Sequence, residues 1–410
     1  MGIRRQLLAL IALSLLATAC TAASVAETTS STSTTTTTPA PTTTTAAPTT
    51  TSSTTTTETP QSVALAGDLP PRAMDALEGF YNWLADDRNP EPPVPDSLLE
   101  SFAGAEHDVP RAAIVKGEVH QLNTGDSVAV ARVGEDTLLL VKDDKPWRLV
   151  GAILPGLSPW LGEGPKLLLV LGSDARAGQN QQKLRADSIH LVGVDPSRAE
   201  GSIVGFPRDS WVQGPAGGSK FTNVMANRGP EVMLETMTNL TELDIDGYVV
   251  TGFVGFEGLI GDLGGLRINL PRSISSGIKG WQDYPSGSQK LGPTAALRLA
   301  RIRKTLPGGD FARSANHGLI MKAAMVMIQA RGIDELPQML DILLDNVWTD
   351  LTTEELLQYA ASVFILSPEE MLNMVMPGSV GKAGTQSVVF LARRSPDIYA
   401  DLADGVIDDE

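Results

Sequence analysis

The sequence predicts an α/β fold for residues 158–410, with α-β-α layers around a central mixed sheet, preceded by a smaller α+β domain at 64–157. Near-continuous apolar runs such as Lys166–Leu171 are typical of strands that are buried on both faces. These runs alternate with segments of helical periodicity, which is the pattern of layered α/β domains. Apolar residues make up 42% of the 410-residue chain, which is enough to form buried cores.

Residues 1–20 have the pattern of a signal peptide. Arg4 and Arg5 precede the apolar run Leu7–Leu16, which is shorter than the ~20 residues that a membrane-spanning helix needs. Small residues then lead to Cys20, in an order that resembles a bacterial lipobox. The resemblance implies a lipoprotein whose lipidated Cys20 anchors it to the outer face of the cytoplasmic membrane, in the cell-wall space. A plain secretory signal is the alternative.

Residues 21–63 are predicted to form a disordered tether. They are mostly Thr, Ser and Pro, and no Lys or Arg occurs between Arg5 and Arg72. Such a segment has too little apolar surface to form a packed core. At ~3.1 Å per residue it would reach on the order of 100 Å when stretched, and so would hold folded domains away from a membrane.

The smaller domain is predicted to be one helix packed on an antiparallel sheet. Residues 72–86 carry apolar side chains at helical spacing. Short alternating runs separated by turn-forming residues then predict strands at 112–122, 127–133, 136–142 and 147–153. His107 and His120 have no sequence neighbours of a metal-binding type, so we predict no chemistry in this domain.

The larger domain is predicted to contain both buried strands and amphipathic helices. The strands are predicted at 166–171, 188–194, 202–206, 248–250, 266–270, 371–376 and 387–391. The helices are predicted at 229–240, 252–263, 292–303, 310–330, 335–346 and 352–365.

Charged residues cluster where these elements end. In chain order they are Asp174, Arg176, Arg185, Asp187, Arg208, Asp209, Arg301, Arg303, Asp310 and Arg313. Strand ends in open α/β sheets are common ligand sites. Paired carboxylates suit Mg²⁺, and arginines bind phosphate oxygens through two parallel hydrogen bonds, so the set suits a phosphate compound. The alternative is ordinary surface ion pairs, such as Asp174–Arg176 or Arg185–Asp187.

Composition excludes several other classes of function. The net charge of −16 argues against binding nucleic acid, which needs a basic surface. Cys20 is the only cysteine, which excludes a disulfide framework, a Cys-rich zinc site and a dithiol redox centre. The four histidines lack the spacing of a zinc hydrolase, and no Walker A loop occurs.

Together, the charged motifs resemble those of the LytR–CpsA–Psr (LCP) family, from Lys166 to the C-terminus. The matching segments are Gly172-Ser173-Asp174-Ala175-Arg176, Arg185-Ala186-Asp187-Ser188, Pro207-Arg208-Asp209, Lys220-Phe221-Thr222-Asn223, Arg301-Ile302-Arg303 and Gly309-Asp310-Phe311-Ala312-Arg313. The resemblance implies an enzyme that moves glycopolymers from a polyprenyl-(pyro)phosphate carrier to peptidoglycan by Mg²⁺-assisted phosphoryl transfer, with Mn²⁺ as an alternative ion.

The resemblance also implies roles for individual residues. Asp174 and Asp187 would ligate the metal. Catalytic roles would fall to Arg185, Arg208, Asp209, Arg301, Arg303 and Arg313, with Asp209 either orienting its neighbours or acting as a general base. Substrate-binding roles would fall to Arg176, Lys220, Asn223, Asp310 and His317. The lipid would lie in an apolar channel between sheet and helices, whose candidate lining residues, or else plain core residues, are Phe221, Phe253, Phe256 and Ile260.

Two departures from the family pattern keep other functions open. Asn316 and His317 stand where the family usually has Arg and Gln. The loss of one cation would weaken pyrophosphate binding by ~1–3 kcal/mol, the scale of a charged hydrogen bond. The alternatives are therefore a glycolipid-binding cell-wall protein with weak or no transfer activity, and a pyrophosphate hydrolase acting at the same site.

Overall fold

The computed structural model describes residues 60–215 and 217–408. The predicted signal peptide, the lipidation of Cys20 and most of the predicted tether lie outside the described residues. Within the two described ranges, no helix is both long and apolar enough to cross a membrane.

The N-terminal part of the described chain is a sheet with two helices. Its elements are β1 (Ala64–Gly67), α1 (Pro71–Ala85), α2 (Asp96–Phe102), β2 (Ala112–Lys116), β3 (Val119–Gln121), β4 (Ser127–Val133), β5 (Asp136–Lys142) and β6 (Arg148–Ile153). The strand order is β1-β2-β4-β5-β6, with β3 also paired to β4. All of these pairs are antiparallel except β1–β2.

Helix α1 packs on this sheet through its apolar face. Pro71 stands at the start of the helix, where a missing backbone N–H costs nothing. Leu77 and Phe80 are fully buried, and the Phe80 ring contacts the rings of Trp83 and Phe102. The periodicity of residues 72–86 therefore identified the helix to within one residue at each end.

The prediction of one strand at 112–122 is wrong in detail, because the segment forms two strands, β2 and β3. The break falls at Gly117, whose φ of +154° is unfavourable for other residues, and whose Cβ, if it had one, would lie 2.5 Å from the Val130 carbonyl oxygen. β1 and α2 were not predicted. β1 is only four residues long, and α2 follows the proline-rich segment that we interpreted as a break.

The remaining elements form the larger part of the chain. Its strands are β7 (Lys166–Ser173), β8 (Ala186–Asp195), β9 (Glu200–Gly205), β10 (Trp211–Gly214), β11 (Gly217–Lys220), β12 (Gly247–Thr251), β13 (Leu266–Leu270), β14 (Gly287–Leu291), β15 (Trp348–Thr349), β16 (Leu372–Val375), β17 (Gly378–Ala383) and β18 (Gln386–Leu391). Its helices are α3 (Phe221–Arg228), α4 (Pro230–Thr241), α5 (Phe253–Asp262), α6 (Pro293–Arg301), α7 (Asp310–Gln329), α8 (Leu336–Asn346), α9 (Thr353–Ser362) and α10 (Ser395–Asp401).

The central sheet is mixed, as the sequence predicted. Its order is β15-β12-β7-β8-β9-β16. The pairs β12–β7 and β9–β16 are parallel, whereas β7–β8, β8–β9 and β12–β15 are antiparallel. Three separate hairpins, β10–β11, β13–β14 and β17–β18, flank it.

Both faces of the central sheet are covered by helices. On one face, Leu167, Leu169 and Leu171 of β7 belong to a core that includes Met233 and Met237 of α4. On the other face, Leu168 packs against the core that contains α8 and α9. The alternation of side chains along β7 thus places one apolar set against each helical layer.

The N-terminal sheet shares the second of these cores. Leu139 and Val141 of β5 are buried in one cluster with Leu340 of α8 and Leu357 of α9. Polar contacts border the cluster: the His120 ring lies 2.5 Å from Asp341 of α8, and Arg148 lies 2.8 Å from Glu354 of α9. The two parts of the described chain are therefore packed against each other through a continuous apolar core.

Candidate active site

Several of the charged side chains lie at one edge of the central sheet, where β7 and β9 end and β8 begins. Because β7 and β8 are antiparallel, the end of β7 at Ser173 pairs with the start of β8 at Ala186. This brings Asp174 and Asp187 to the same edge of the sheet, where the Arg185 backbone N–H donates to Asp174 Oδ1 at 3.1 Å. β9 ends at the same edge and is followed by Arg208.

Asp187 is bound by two arginines that are distant in the sequence. Arg208 Nη1 donates to Asp187 Oδ1 at 2.5 Å. Arg313 of α7 donates from Nη2 to the Asp187 carbonyl oxygen at 3.1 Å and places Nη1 3.8 Å from Oδ2. Among the described residues, Asp187 thus pairs across the site instead of with its sequence neighbour Arg185.

Asp310 contacts the same two arginines, Arg208 and Arg313. It accepts a hydrogen bond from the Arg208 backbone N–H at 3.0 Å and lies 2.5 Å from Arg313 Nη2. Arg303 Nη1 is 3.9 Å away. Since Asp310 opens α7, the positive end of the helix dipole also favours its negative charge. One carboxylate therefore connects a strand end, a loop and a helix.

Burial lowers the pKa values of Arg208 and Arg313, whereas pairing with carboxylates raises them. Burial lowers the pKa of Arg313, against the favourable charges of Asp310 and Asp187. For Arg208, burial is the largest influence and acts to lower the pKa, but Asp187, Asp310 and Asp209 together outweigh it and the pKa is raised. The Nε atoms of both are buried without a hydrogen-bond acceptor in the described part of the chain. The cluster therefore contains two buried N–H donors that no acceptor among the described residues satisfies.

A cavity of about 800 Å³ opens from this cluster into the larger part of the chain. Eight predicted site residues line it: Asp174, Arg176, Asp187, Arg208, Arg301, Arg303, Arg313 and His317. Apolar side chains line the rest, among them Phe253, Phe256, Leu259, Ile260, Leu297, Ile320, Met321, Leu343 and Val347. The cavity is cationic at one end and apolar at the other.

Arg301 lies between two aromatic rings in the cavity wall. Its guanidinium carbon is 4.5 Å from the Phe253 ring centroid and 5.5 Å from that of Trp281. Trp281 also contacts Arg298 of the same helix, at 5.6 Å. Such cation–π contacts hold the planar guanidinium in one orientation. Arg301 is thereby fixed beside the cavity without an acidic partner among the described residues.

His317 is a neutral cavity residue. Its Nε2 lies 2.7 Å from the carbonyl oxygen of Ala300, in the last turn of α6, so Nε2 carries the proton and satisfies that carbonyl. Burial, followed by the nearby His190 and Arg313, lowers its pKa to about 3. The rings of His317 and His190 meet edge to face, with centroids 5.7 Å apart. Asn316 is 6% exposed and is not among the described cavity-lining residues.

These two histidines make the stability of the fold dependent on pH. Burial also lowers the pKa of His190 to about 4, so both rings stay neutral in the folded state while the unfolded chain binds protons below pH ~6.5. The free energy of unfolding is therefore expected to fall as pH falls from ~6.5, by up to ~1.4 kcal/mol per pH unit for each histidine. Urea denaturation between neutral pH and pH ~5 measures this slope. His317→Gln should remove about half of it, and an unchanged slope would contradict the assignment.

The other predicted residues lie outside the cavity lining of the described chain. Lys220 binds Asp209 at 3.0 Å, next to the β10–β11 hairpin. Arg185 is exposed, and Asn223 is half-buried in α3. Asp310 acts through the arginines that it holds.

Phe221 is a core residue, which is the second of the two roles considered for it from the sequence, and it is not among the cavity-lining residues of the described chain. It is fully buried, and its ring packs edge to face on Phe206 in the core beneath α3. The other candidates, Phe253, Phe256 and Ile260, do line the cavity.

The sequence pattern missed one group of cavity residues. Ser276, Gly277 and Ile278, in the connection between β13 and β14, line the cavity, as does Lys304. The available signal was the segment Gly277-Ile278-Lys279-Gly280-Trp281, in which large apolar residues stand in a glycine-flanked turn. Of the two large apolar residues in this segment, Trp281 packs against a core cluster, whereas Ile278 is 44% exposed.

The acidic residues present fit a magnesium site only in part. Within the described residues, no group of three or more His, Cys, Asp or Glu side chains is placed to hold a metal ion. Asp174 and Asp187 both line the cavity, however, and Mg²⁺ commonly uses one or two carboxylates together with substrate phosphate oxygens and waters. The donor set therefore fits an ion that arrives with a phosphate substrate.

Sequence comparison matches most of the larger part of the chain to a known family. The sequence model of the LytR_cpsA_psr family matches residues 153–397. The polyisoprenyl-teichoic acid–peptidoglycan teichoic acid transferase TagU of Oceanobacillus iheyensis is 29% identical over 46% of this chain. The corresponding transferase TagV of Bacillus subtilis is 28% identical over 47% of this chain. These matches span 60% and 51% of the relatives' own lengths.

A solved structure shares the fold. The crystal structure of B. subtilis TagV superposes with a TM-score of 0.52 over 59% of this chain and 96% of that chain, at 23% identity. The superposed part is of the size of the region matched by the family model.

Proposed function

Because the chain belongs to the LytR_cpsA_psr family, we propose that it transfers a glycopolymer from a polyprenyl-(pyro)phosphate carrier to peptidoglycan. The observation that supports this proposal most directly is the two-part cavity. Its cationic end suits a phosphate or pyrophosphate, and its apolar part suits the hydrocarbon tail of the carrier. The names of the similar transferases support the same class of reaction.

The arginine cluster would stabilise the transition state. In phosphoryl transfer, negative charge spreads over the phosphoryl oxygens, and catalysis consists largely of positioning and of compensating that charge. Arg208 and Arg313 are held in place by Asp187 and Asp310 before any substrate arrives. Their orientation therefore does not have to be established during the reaction.

We propose that Mg²⁺, or Mn²⁺ in its place, is held by Asp174 and Asp187 together with substrate oxygens. When bound, the ion would polarise the phosphoryl group and compensate its charge. Asp187 would keep Arg208 on its Oδ1 side, where the two are 2.5 Å apart. Asp209 would orient the loop after β9 through its 3.0 Å contact with Lys220.

We further propose that the reaction takes place outside the cytoplasmic membrane. The support is the sequence of residues 1–20, with its lipobox-like order before Cys20. A lipid on Cys20 and the tether that follows would keep the transferase between the membrane, which holds the carrier, and the wall, which holds the acceptor.

The two other functions predict different products. A binding protein without transfer was suggested by Asn316 and His317. Asn316 is buried outside the cavity lining of the described chain, and His317 is uncharged like the Gln it replaces, which favours retained transfer. A hydrolase would release the glycan phosphate without needing peptidoglycan.

A reconstituted reaction tests the proposal. Purified protein is incubated with a radiolabelled polyprenyl-pyrophosphate-linked glycan and Mg²⁺, with and without peptidoglycan. We expect label in peptidoglycan only when the acceptor is present. Release of label without acceptor would favour a hydrolase, and binding without turnover would favour a binding protein.

Arg303→Ala tests the site in the same reaction. Arg303 lines the cavity and its removal leaves Asp310 less fully compensated, so we expect the rate to fall roughly tenfold to a hundredfold, the range for a lost charged hydrogen bond. Arg393→Ala is the matched control, because Arg393 is exposed and lies outside the cavity lining of the described residues. Equal rates for the two variants would argue against the cavity as the site of transfer.

A further inference from the structure

The opening of the cavity is both apolar and basic on one side. A residue that lines a cavity and is also exposed to solvent lies at its opening, and Ile278, which is 44% exposed, is such a residue. Arg301 and Lys304 also line the cavity and are exposed. Lys279 is exposed directly after Ile278. We call Ile278, Lys279, Trp281, Arg301 and Lys304 the docking rim.

The backbone of the docking rim is well determined by local contacts. Ile274 and Tyr284 pair at the base of the turn, with both backbone hydrogen bonds between 2.7 and 2.8 Å. At its tip the Trp281 N–H donates to the Ile278 carbonyl at 3.0 Å, and Gly277 has a φ of +61° that favours glycine. The tip is therefore a fixed projection that presents Ile278 to solvent.

Basic residues outnumber acidic ones around the rim. The segment 271–305, which contains the rim, has seven Lys or Arg residues and one acidic residue, Asp283. The exposed cations of the rim stand out because the whole chain has a net charge of −16. A negatively charged partner would therefore meet this side of the protein in preference to the rest.

We propose that the docking rim seats on the surface of an anionic lipid bilayer. The exposed aliphatic side chain of Ile278 can enter the hydrocarbon boundary of the bilayer, while the exposed cations beside it attract anionic headgroups. Each lysine near an anionic surface strengthens binding about fivefold. The apolar cavity is continuous with the rim, so a lipid tail would pass from bilayer to cavity without crossing water. This proposal rests on the proposed function for its use, but membrane contact is measured without substrate or acceptor.

Position-specific labelling tests the contact in the full chain. Cys20 is the only cysteine, so Cys20→Ser gives a background in which Ile278→Cys carries a single environment-sensitive fluorophore. Matched labels at Ile114→Cys and Val380→Cys occupy other exposed apolar positions, 70% and 72% exposed. The N-terminal segment is identical in all three proteins, so any anchoring that it provides acts equally on each label.

The readout is quenching of each label by nitroxide-bearing lipid in vesicles of phosphatidylcholine with or without phosphatidylglycerol. We expect quenching at position 278 several times stronger than at 114 or 380, only with phosphatidylglycerol, and weakened by high salt. Adding Lys279→Glu and Lys304→Glu should reduce it to the level of the controls. Equal quenching at all three positions would overturn the proposal. Equal quenching without phosphatidylglycerol would overturn the anionic lipid as the partner.

A second copy of the chain is the competing occupant of the rim. If the label at position 278 changes its emission with protein concentration in the absence of vesicles, the rim is a self-association surface and the proposal fails. If the label at position 278 shows no vesicle contact while both rim lysines are intact, and the same protein still transfers glycan from detergent-solubilised carrier, the docking rim is overturned and the proposed function stands.

Discussion

Asp187→Asn is expected to reduce glycopolymer transfer roughly a hundredfold or more, the scale for losing a charge that positions groups around a metal or a transition state. Asp187 binds Arg208 at 2.5 Å and lies 3.8 Å from Arg313 Nη1, and it is one of two carboxylates proposed to hold Mg²⁺. An amide of the same size keeps the shape and removes the charge on which these roles depend. The rate constant of transfer, measured over a range of Mg²⁺ concentrations, is the readout.

Asp195→Asn is the control for this variant. Asp195 ends the same strand at its opposite end and pairs with Arg198 at 2.7 Å, away from the cavity. We expect it to transfer at the wild-type rate. If Asp187→Asn also retained that rate at every Mg²⁺ concentration, neither the proposed metal site nor the arginine cluster would be needed for transfer.

Arg313→Ala is expected to abolish transfer and also to destabilise the fold by about 3–5 kcal/mol, the usual cost of removing one partner from a buried ion pair. The Arg313 side chain is 7% exposed and lies between Asp187 and Asp310. Its removal leaves Arg208 as the remaining arginine within 4 Å of both carboxylates, and Asp310, whose side chain is 13% exposed, loses its 2.5 Å contact. The midpoint and slope of urea unfolding measure the loss of stability.

Arg313→Lys separates charge from geometry. A lysine restores the positive charge but not the planar group that contacts both carboxylates and the Asp187 carbonyl. We expect it to recover most of the stability and little of the transfer rate. A lysine variant with full activity would show that Arg313 acts only as a structural cation.

The parts of the fold with strong periodicity were predictable. β8 extends one or two residues beyond the predicted 188–194, and α7 ends within a residue of its predicted boundary. α3 was missed because its eight residues are divided between buried and polar positions without a clear helical stripe. The hairpin β10–β11 was missed because its two four-residue strands contain three glycines, which weaken the strand signal.

The sequence indicated which charged residues form the site, but not which of them pair with each other. Strand ends indicated that Asp174, Asp187 and Arg208 would meet. Nothing local in the sequence indicated that Asp187 would bind Arg313 or that Asp310 would hold three arginines, because these contacts bring α7 against the sheet. The stacking of Arg301 between Phe253 and Trp281 likewise depends on how three separate elements pack.

The N-terminal sheet stiffens one wall of the cavity, which the region matched by the family model would not do alone. Leu343 and Val347, at the end of α8 and just after it, form part of the cavity wall, while Leu340 of the same helix is packed against Leu139 and Val141 of the sheet. A bulky occupant that widens the cavity there has to push α8 into a close-packed core, which resists compression. How far that wall can move, and hence how wide an occupant the cavity can hold, depends in part on residues that precede the family match.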